Sequence, residues 1–142
     1  MKFEFILSNT KKQKEMLNAN DRPHWTQRQR ITSYLRHIAK LSGQEGKCIP
    51  YTNKRPCGLI VTIYSPTKRR LDPPNLNPTI KALVDGLTDA GVWVDDNHEV
   101  IKETLFRYGG LSDIKGKYKI VLETVEGGIL QNLDQKELSY EF

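Results

Sequence analysis

The segment NPTIKALVDGLTDAG, Asn77 to Gly91, does most to limit how this chain can fold. Ile80, Leu83, Val84 and Leu87 recur at helical spacing and define one apolar stripe. Asn77 is a good N-cap, Pro78 suits the first helical position, and Gly91 fits a left-handed C-terminal stop. A helix over Pro78–Ala90 is therefore expected. Gly86 inside it costs about 1 kcal/mol relative to Ala, which points to close packing or a backbone contact. Upstream, the β-branched run CGLIVTIYS reads as a strand, and PTKRRLDPPNLNP is a loop carrying Pro66, Pro73, Pro74 and Pro78.

The rest of the chain is placed around this unit. KFEFILS alternates, with Phe3, Phe5 and Leu7 facing one way, and reads as a strand. NTKKQKEMLNANDRPH is polar and reads as an irregular excursion. WTQRQRITSYLRHIAKLSG carries Ile31, Tyr34, Leu35, Ile38 and Leu41 at helical spacing, with Gly43 as its stop. HEVIKETLFRY and KYKIVLETVE read as two strands paired in a hairpin across GGLSDIKG. The order strand, helix, strand, helix, strand, strand implies an α+β (mixed α/β) domain, with helices packed on a single small sheet. It covers residues 1–128, and a polar C-terminal tail covers 129–142.

The 142 residues suit one domain with a core that needs no disulfide staples. Cys48, Cys57 and three histidines match no zinc spacing, so the cysteines read as thiols of a reducing cytoplasm. The N-terminus lacks the apolar run of a signal peptide, and no stretch is long and apolar enough to span a bilayer. A soluble cytoplasmic protein is expected. The net charge of +5 admits a polyanion partner without establishing one.

Chemistry concentrates between Lys68 and Asp96. A helix over Pro78–Ala90 is about 20 Å long. Gly91–Asp96, extended, spans about the same distance. A chain folding back along the helix would return Asp95 and Asp96 toward its N-terminal end, which Asp72 precedes. Acids meeting there beside Lys68, Arg69 and Arg70 would suit Mg²⁺ and a phosphodiester. Each signal also has a plainer reading. Asp95-Asp96 could be a solvated turn, Lys68-Arg69-Arg70 a solvated face, and Lys81–Asp85 a surface pair. Trp93 suits core packing better than base stacking, and His98 a surface position better than a metal site.

Together, Arg69-Arg70-Leu71-Asp72, Asn75-Leu76, Lys81, Asp85, Leu87 and Gly91-Val92-Trp93-Val94-Asp95-Asp96 resemble the core of the RusA family of Holliday-junction resolvases. That pattern is roughly R-R-x-D-x-D-N-L-x-K-x-x-x-D-x-L-x-x-x-G-x-W-x-D-D. From Lys81 to Asp96 the spacing agrees without a gap. Upstream, Pro74 stands where the family has its second carboxylate, and extra residues separate Leu76 from Lys81. The resemblance implies a homodimeric, Mg²⁺-dependent endonuclease that nicks four-way DNA junctions. It implies Asp72 and Asp96 as catalytic metal ligands with Lys81 on the scissile phosphate. Asp95 is the expected third ligand, with Asn75 and Asp85 as alternatives. Lys68, Arg69, Arg70 and Asn75 would hold DNA at the site. Arg28, Arg30 and Lys40 on the first helix would hold the arms outside it. A non-catalytic junction-binding protein and a Mg²⁺-dependent hydrolase of small phosphoesters remain as other classes.

Overall fold

In the computed structural model, residues 1–46 and 49–133 are described; Cys48 and most of the expected tail lie outside them. The elements are β1 (Lys2–Ser8), α1 (Trp25–Glu45), β2 (Cys57–Ser65), a 3₁₀ turn (Pro73–Leu76), α2 (Asn77–Asp89), β3 (Ile101–Leu111) and β4 (Lys117–Glu126). They form one mixed four-stranded sheet in the order β1-β4-β2-β3, which makes an α+β fold. Strand β2 runs antiparallel to β4 and parallel to β3.

The two final strands are not a hairpin; β2 lies between them. The reason is burial. Along β2 only Ile60 and Tyr64 escape full burial, so this strand takes a ladder partner on each side. Strand β3 is largely exposed and suits an edge. Its connection to β4 crosses the end of β2, where the Ser112 N–H donates to the Ser65 carbonyl at 2.8 Å. The left-handed residues Asp113 and Gly116 turn the chain there.

One face of the sheet carries Phe3, Phe5, Leu7, Leu59, Val61, Ile63, Ile120 and Leu122 into a core shared with both helices. Helix α1 contributes Ile31, Leu35, Ala39 and Gly43. Tyr34 and Leu41, expected on that stripe, are 40% and 48% exposed. Gly43 is not a stop: the helix continues to Glu45, and Gly43 lies buried against α2. A Cβ there would meet Ala90 Cβ at 2.6 Å, so the glycine answers to helix packing rather than to chain termination.

Helix α2 begins one residue earlier than expected. Asn77 has helical angles and Leu76 is the cap, so Asn77 does not act as the capping residue. The 3₁₀ turn supplies the reason, because it is already hydrogen-bonded into the helix through Asn77 N–H and the Pro74 carbonyl. Gly91 has φ +84°, as a left-handed stop requires. The polar excursion after β1 is not wholly irregular. Met16 and Leu17 are buried, and Thr79 Oγ1 both accepts from Leu17 N–H and donates to its carbonyl, at 2.7 Å each. Ala19 N–H donates to the Asn75 carbonyl at 2.7 Å, so this segment braces the start of α2.

Residues 129–133, expected as the start of the tail, form a helical turn. Ile129 N–H donates to Glu103 Oε1 at 2.5 Å, which ties the turn to the sheet.

Candidate active site

The site is built from α2 and the segment that returns from its C-terminus. After Gly91 the backbone pairs with Tyr51: Tyr51 N–H donates to the Val92 carbonyl and Val94 N–H to the Tyr51 carbonyl, both at 3.0 Å. Trp93 is fully buried and donates its indole N–H to Thr88 Oγ1 at 2.7 Å. It is a core residue that pins the returning chain against α2. The segment then delivers Asp96 to the helix. Lys81 Nζ stands 2.6 Å from Asp96 Oδ2 and 3.1 Å from Asp85 Oδ1.

Lys81 thus bridges two carboxylates from different parts of the chain. Asp96 above all, with Asp85, raises the Lys81 pKa, so the amine stays an ammonium. The hydrogen bond from Lys81 holds the Asp96 pKa below the usual carboxylate range. A cleft of about 170 Å³ opens beside the pair, lined by Asn77, Ile80, Lys81, Asp96, Thr104 and Phe106 among others. Thr104 and Phe106 come from β3, whose contribution had no signature in the sequence beyond strand periodicity.

Asp95 lies next to this pair but is engaged locally. Its Oδ1 accepts from Asp96 N–H at 2.7 Å, and its Oδ2 accepts from the Asn97 side chain at 3.1 Å. Asp72 lies on the other approach to α2, exposed, immediately before the 3₁₀ turn. Its carbonyl accepts from Asn75 N–H at 3.0 Å, which fixes the corner. Among the described residues, no three His, Cys, Asp or Glu side chains converge closely enough to hold a metal ion. The geometry instead brings together Asp96 and Asp85. Two hard carboxylates are a donor set that Mg²⁺ commonly uses, with waters and substrate phosphates completing the shell.

Lys68, Arg69 and Arg70 are exposed in the loop leading to α2, and among the described residues they make no ion pair. Arg28, Arg30 and Lys40 are likewise exposed and unpaired on α1. Arg36 is committed elsewhere. It makes a two-point ion pair with Asp89 of α2, at 2.5 and 2.9 Å. His98 is exposed.

No protein-family model matches the chain, and no curated protein shows significant similarity to it. No helix among the described residues is long and apolar enough to cross a membrane.

Proposed function

We propose that the chain is a Mg²⁺-dependent, structure-selective endodeoxyribonuclease of the RusA type, resolving four-way DNA junctions in the cytoplasm as a homodimer. The observation that carries this reading is the return of Asp96 to Lys81 beside Asp85. Those three residues belong to the ungapped part of the family pattern. Lys68, Arg69 and Arg70, without an ion pair among the described residues, lie in the loop leading to the same helix and suit a phosphodiester backbone.

On this reading Asp72 and Asp96 would be the metal ligands, with Asp95 the expected third and Asn75 or Asp85, which shares Lys81 with Asp96, as alternatives. Mg²⁺ held there supplies charge neutralisation at the phosphoryl group and a more acidic bound water. The chain's own residues prepare the site. Lys81 remains charged at neutral pH and so acts as an electrostatic clamp on the scissile phosphate, not as a base. A phosphate that takes over the Lys81 ammonium releases Asp96 Oδ2 to a cation. Substrate binding and metal binding therefore favour each other.

The test is incubation with a synthetic four-way junction, with and without Mg²⁺, beside a linear duplex. Cleavage of the junction alone, only with Mg²⁺, is the expected result. Asp72→Asn and Asp96→Asn each nearly abolish cleavage while junction binding survives. Near wild-type cleavage by either variant would sink the assignment. A second reading, a junction-binding protein without cleavage, is favoured by one observation: the Lys81 ammonium already occupies an oxygen of each carboxylate. Tight junction binding with no cleavage at any Mg²⁺ concentration would select it.

A further inference from the structure

A separate cleft of about 310 Å³ opens between the loop after β1 and helix α1. The loop is a tied turn. Glu15 N–H donates to the Ser8 carbonyl at 2.9 Å, Asn9 and Lys14 form an antiparallel bridge, and Gln13 N–H donates to Thr10 Oγ1 at 3.0 Å. Lys11 and Lys12 occupy its tip, and Arg30 of α1 lines the same cleft.

The other charges at the cleft are accounted for. Lys14 Nζ bonds Asn9 Oδ1 at 3.0 Å and Asp21 Oδ2 at 3.1 Å. Glu15 Oε1 accepts from Ser8 N–H at 2.7 Å. Burial, and then the neighbouring Glu15 carboxylate, push the Tyr34 hydroxyl up in pKa. Lys11, Lys12 and Arg30 have no ion pair among the described residues. Three unpaired cations around one cleft repel one another, and a bound anion relieves that repulsion.

The walls add a second requirement. Tyr34 lies four residues after Arg30, on the same face of α1. It is a large aromatic left 40% exposed at a cleft floored by the buried Ile31. Its volume is at the low end of ligand-sized pockets, which suits one nucleotide and not a base pair. Cations for the backbone and an aromatic face for the base are how single strands are held.

We propose that this cleft is a subsite for one unpaired nucleotide of a DNA strand, with Lys11, Lys12 and Arg30 on its phosphate and Tyr34 against its base. The proposal extends the DNA-binding side of the reading above and needs none of its cleavage chemistry. It is tested by the fluorescence anisotropy of a short, 3′-labelled oligothymidylate in EDTA across a salt series. Because no metal is present, a failure of the nuclease assignment leaves this measurement readable. Replacing Lys11, Lys12 and Arg30 together by Ala is expected to weaken binding and to flatten the log–log salt slope by about 0.7, the loss of one phosphate contact. Tyr34→Leu is expected to weaken binding roughly tenfold, while Tyr34→Phe, which keeps the ring, binds like the wild type. The substituted side chains are largely exposed, and circular dichroism of each variant checks its fold. Wild-type affinity and slope in the triple variant, or wild-type affinity in Tyr34→Leu, overturns the proposal.

Discussion

Gly86→Ala tests how tightly the site-bearing helix is held. Gly86 lies inside α2, buried against α1. A Cβ there would collide with the Arg36 carbonyl and stand 2.7 Å from Ala39 Cβ. Alanine would gain about 1 kcal/mol of helix propensity over glycine. Overpacking typically costs about 1–3 kcal/mol and occasionally more. Here the obstacle is helix backbone, which cannot swing aside, so the cost falls at the upper end of that range. The net expectation is a destabilisation of about 1–2 kcal/mol, or a fall in Tm of about 3–8 °C for a domain of this size. Thermal unfolding followed by circular dichroism measures it.

Gly91→Ala separates this cause from backbone strain. A Cβ at Gly91 meets nothing within 4 Å, but the residue has φ +84°. Its cost is therefore conformational alone, about 1–2 kcal/mol. For Gly86→Ala, separation of the helices should also displace Lys81 and Asp85 from Asp96, so junction cleavage should fall with stability. A Tm at or above wild type in Gly86→Ala would refute the argument, because it would mean that the helices can part at no cost.

Much of this arrangement is legible in the sequence, for identifiable reasons. The alternation of Phe3, Phe5 and Leu7 and the apolar run of β2 mark strands directly. The stripe Ile80, Leu83, Val84, Leu87 and the stop at Gly91 bound α2 to within a residue. Gly86 announces a close contact because nothing else justifies a glycine in a short helix. What failed were features decided by distant partners. Gly43 looks like a terminator locally, yet its reason is Ala90, which caps the C-terminus of another helix. Adjacent strands joined by a short glycine-rich link suggest a hairpin, yet β2 needs both of its neighbours. Met16 and Leu17, set among polar residues, gave no periodic signal and are buried all the same. The return of Asp96 to α2 followed from chain length alone, whereas its pairing with Lys81, which also holds Asp85, depends on how Trp93 and Tyr51 steer the loop.

Asp95→Asn should raise the Mg²⁺ concentration for half-maximal junction cleavage if Asp95 completes the ligand set. An unchanged titration would leave it as the turn residue bonded to Asp96 N–H and Asn97, and would transfer the role to Asp85 or Asn75. Replacing Arg28, Arg30 and Lys40 by Ala should weaken binding to every duplex arm and flatten the salt slope by roughly three units, at about 0.9 per contact. Cleavage at saturating protein should change little, and an unchanged slope would make these side chains a solvated helix face. The last expectation concerns acid. The Asp96 pKa is depressed by the hydrogen bond from Lys81, so its stabilising contribution is full above the unfolded value of about 3.9 and disappears as pH falls through the lower folded value. The Lys81 pKa is raised, so its contribution is full below about 10.4 and is lost only as pH rises through the higher folded value. The pair therefore contributes across the neutral range. Lys81 is 61% exposed, so solvent screening holds that contribution to about 1 kcal/mol or less. Lys81→Met should be less stable than wild type at neutral pH, and urea unfolding should show the difference shrinking in strong acid, where Asp96 is protonated in both proteins. A difference that persists undiminished in acid would mean that the lost stability comes from packing of the Lys81 stem rather than from its charge, and the electrostatic role given to Lys81 at the phosphate would lose its support.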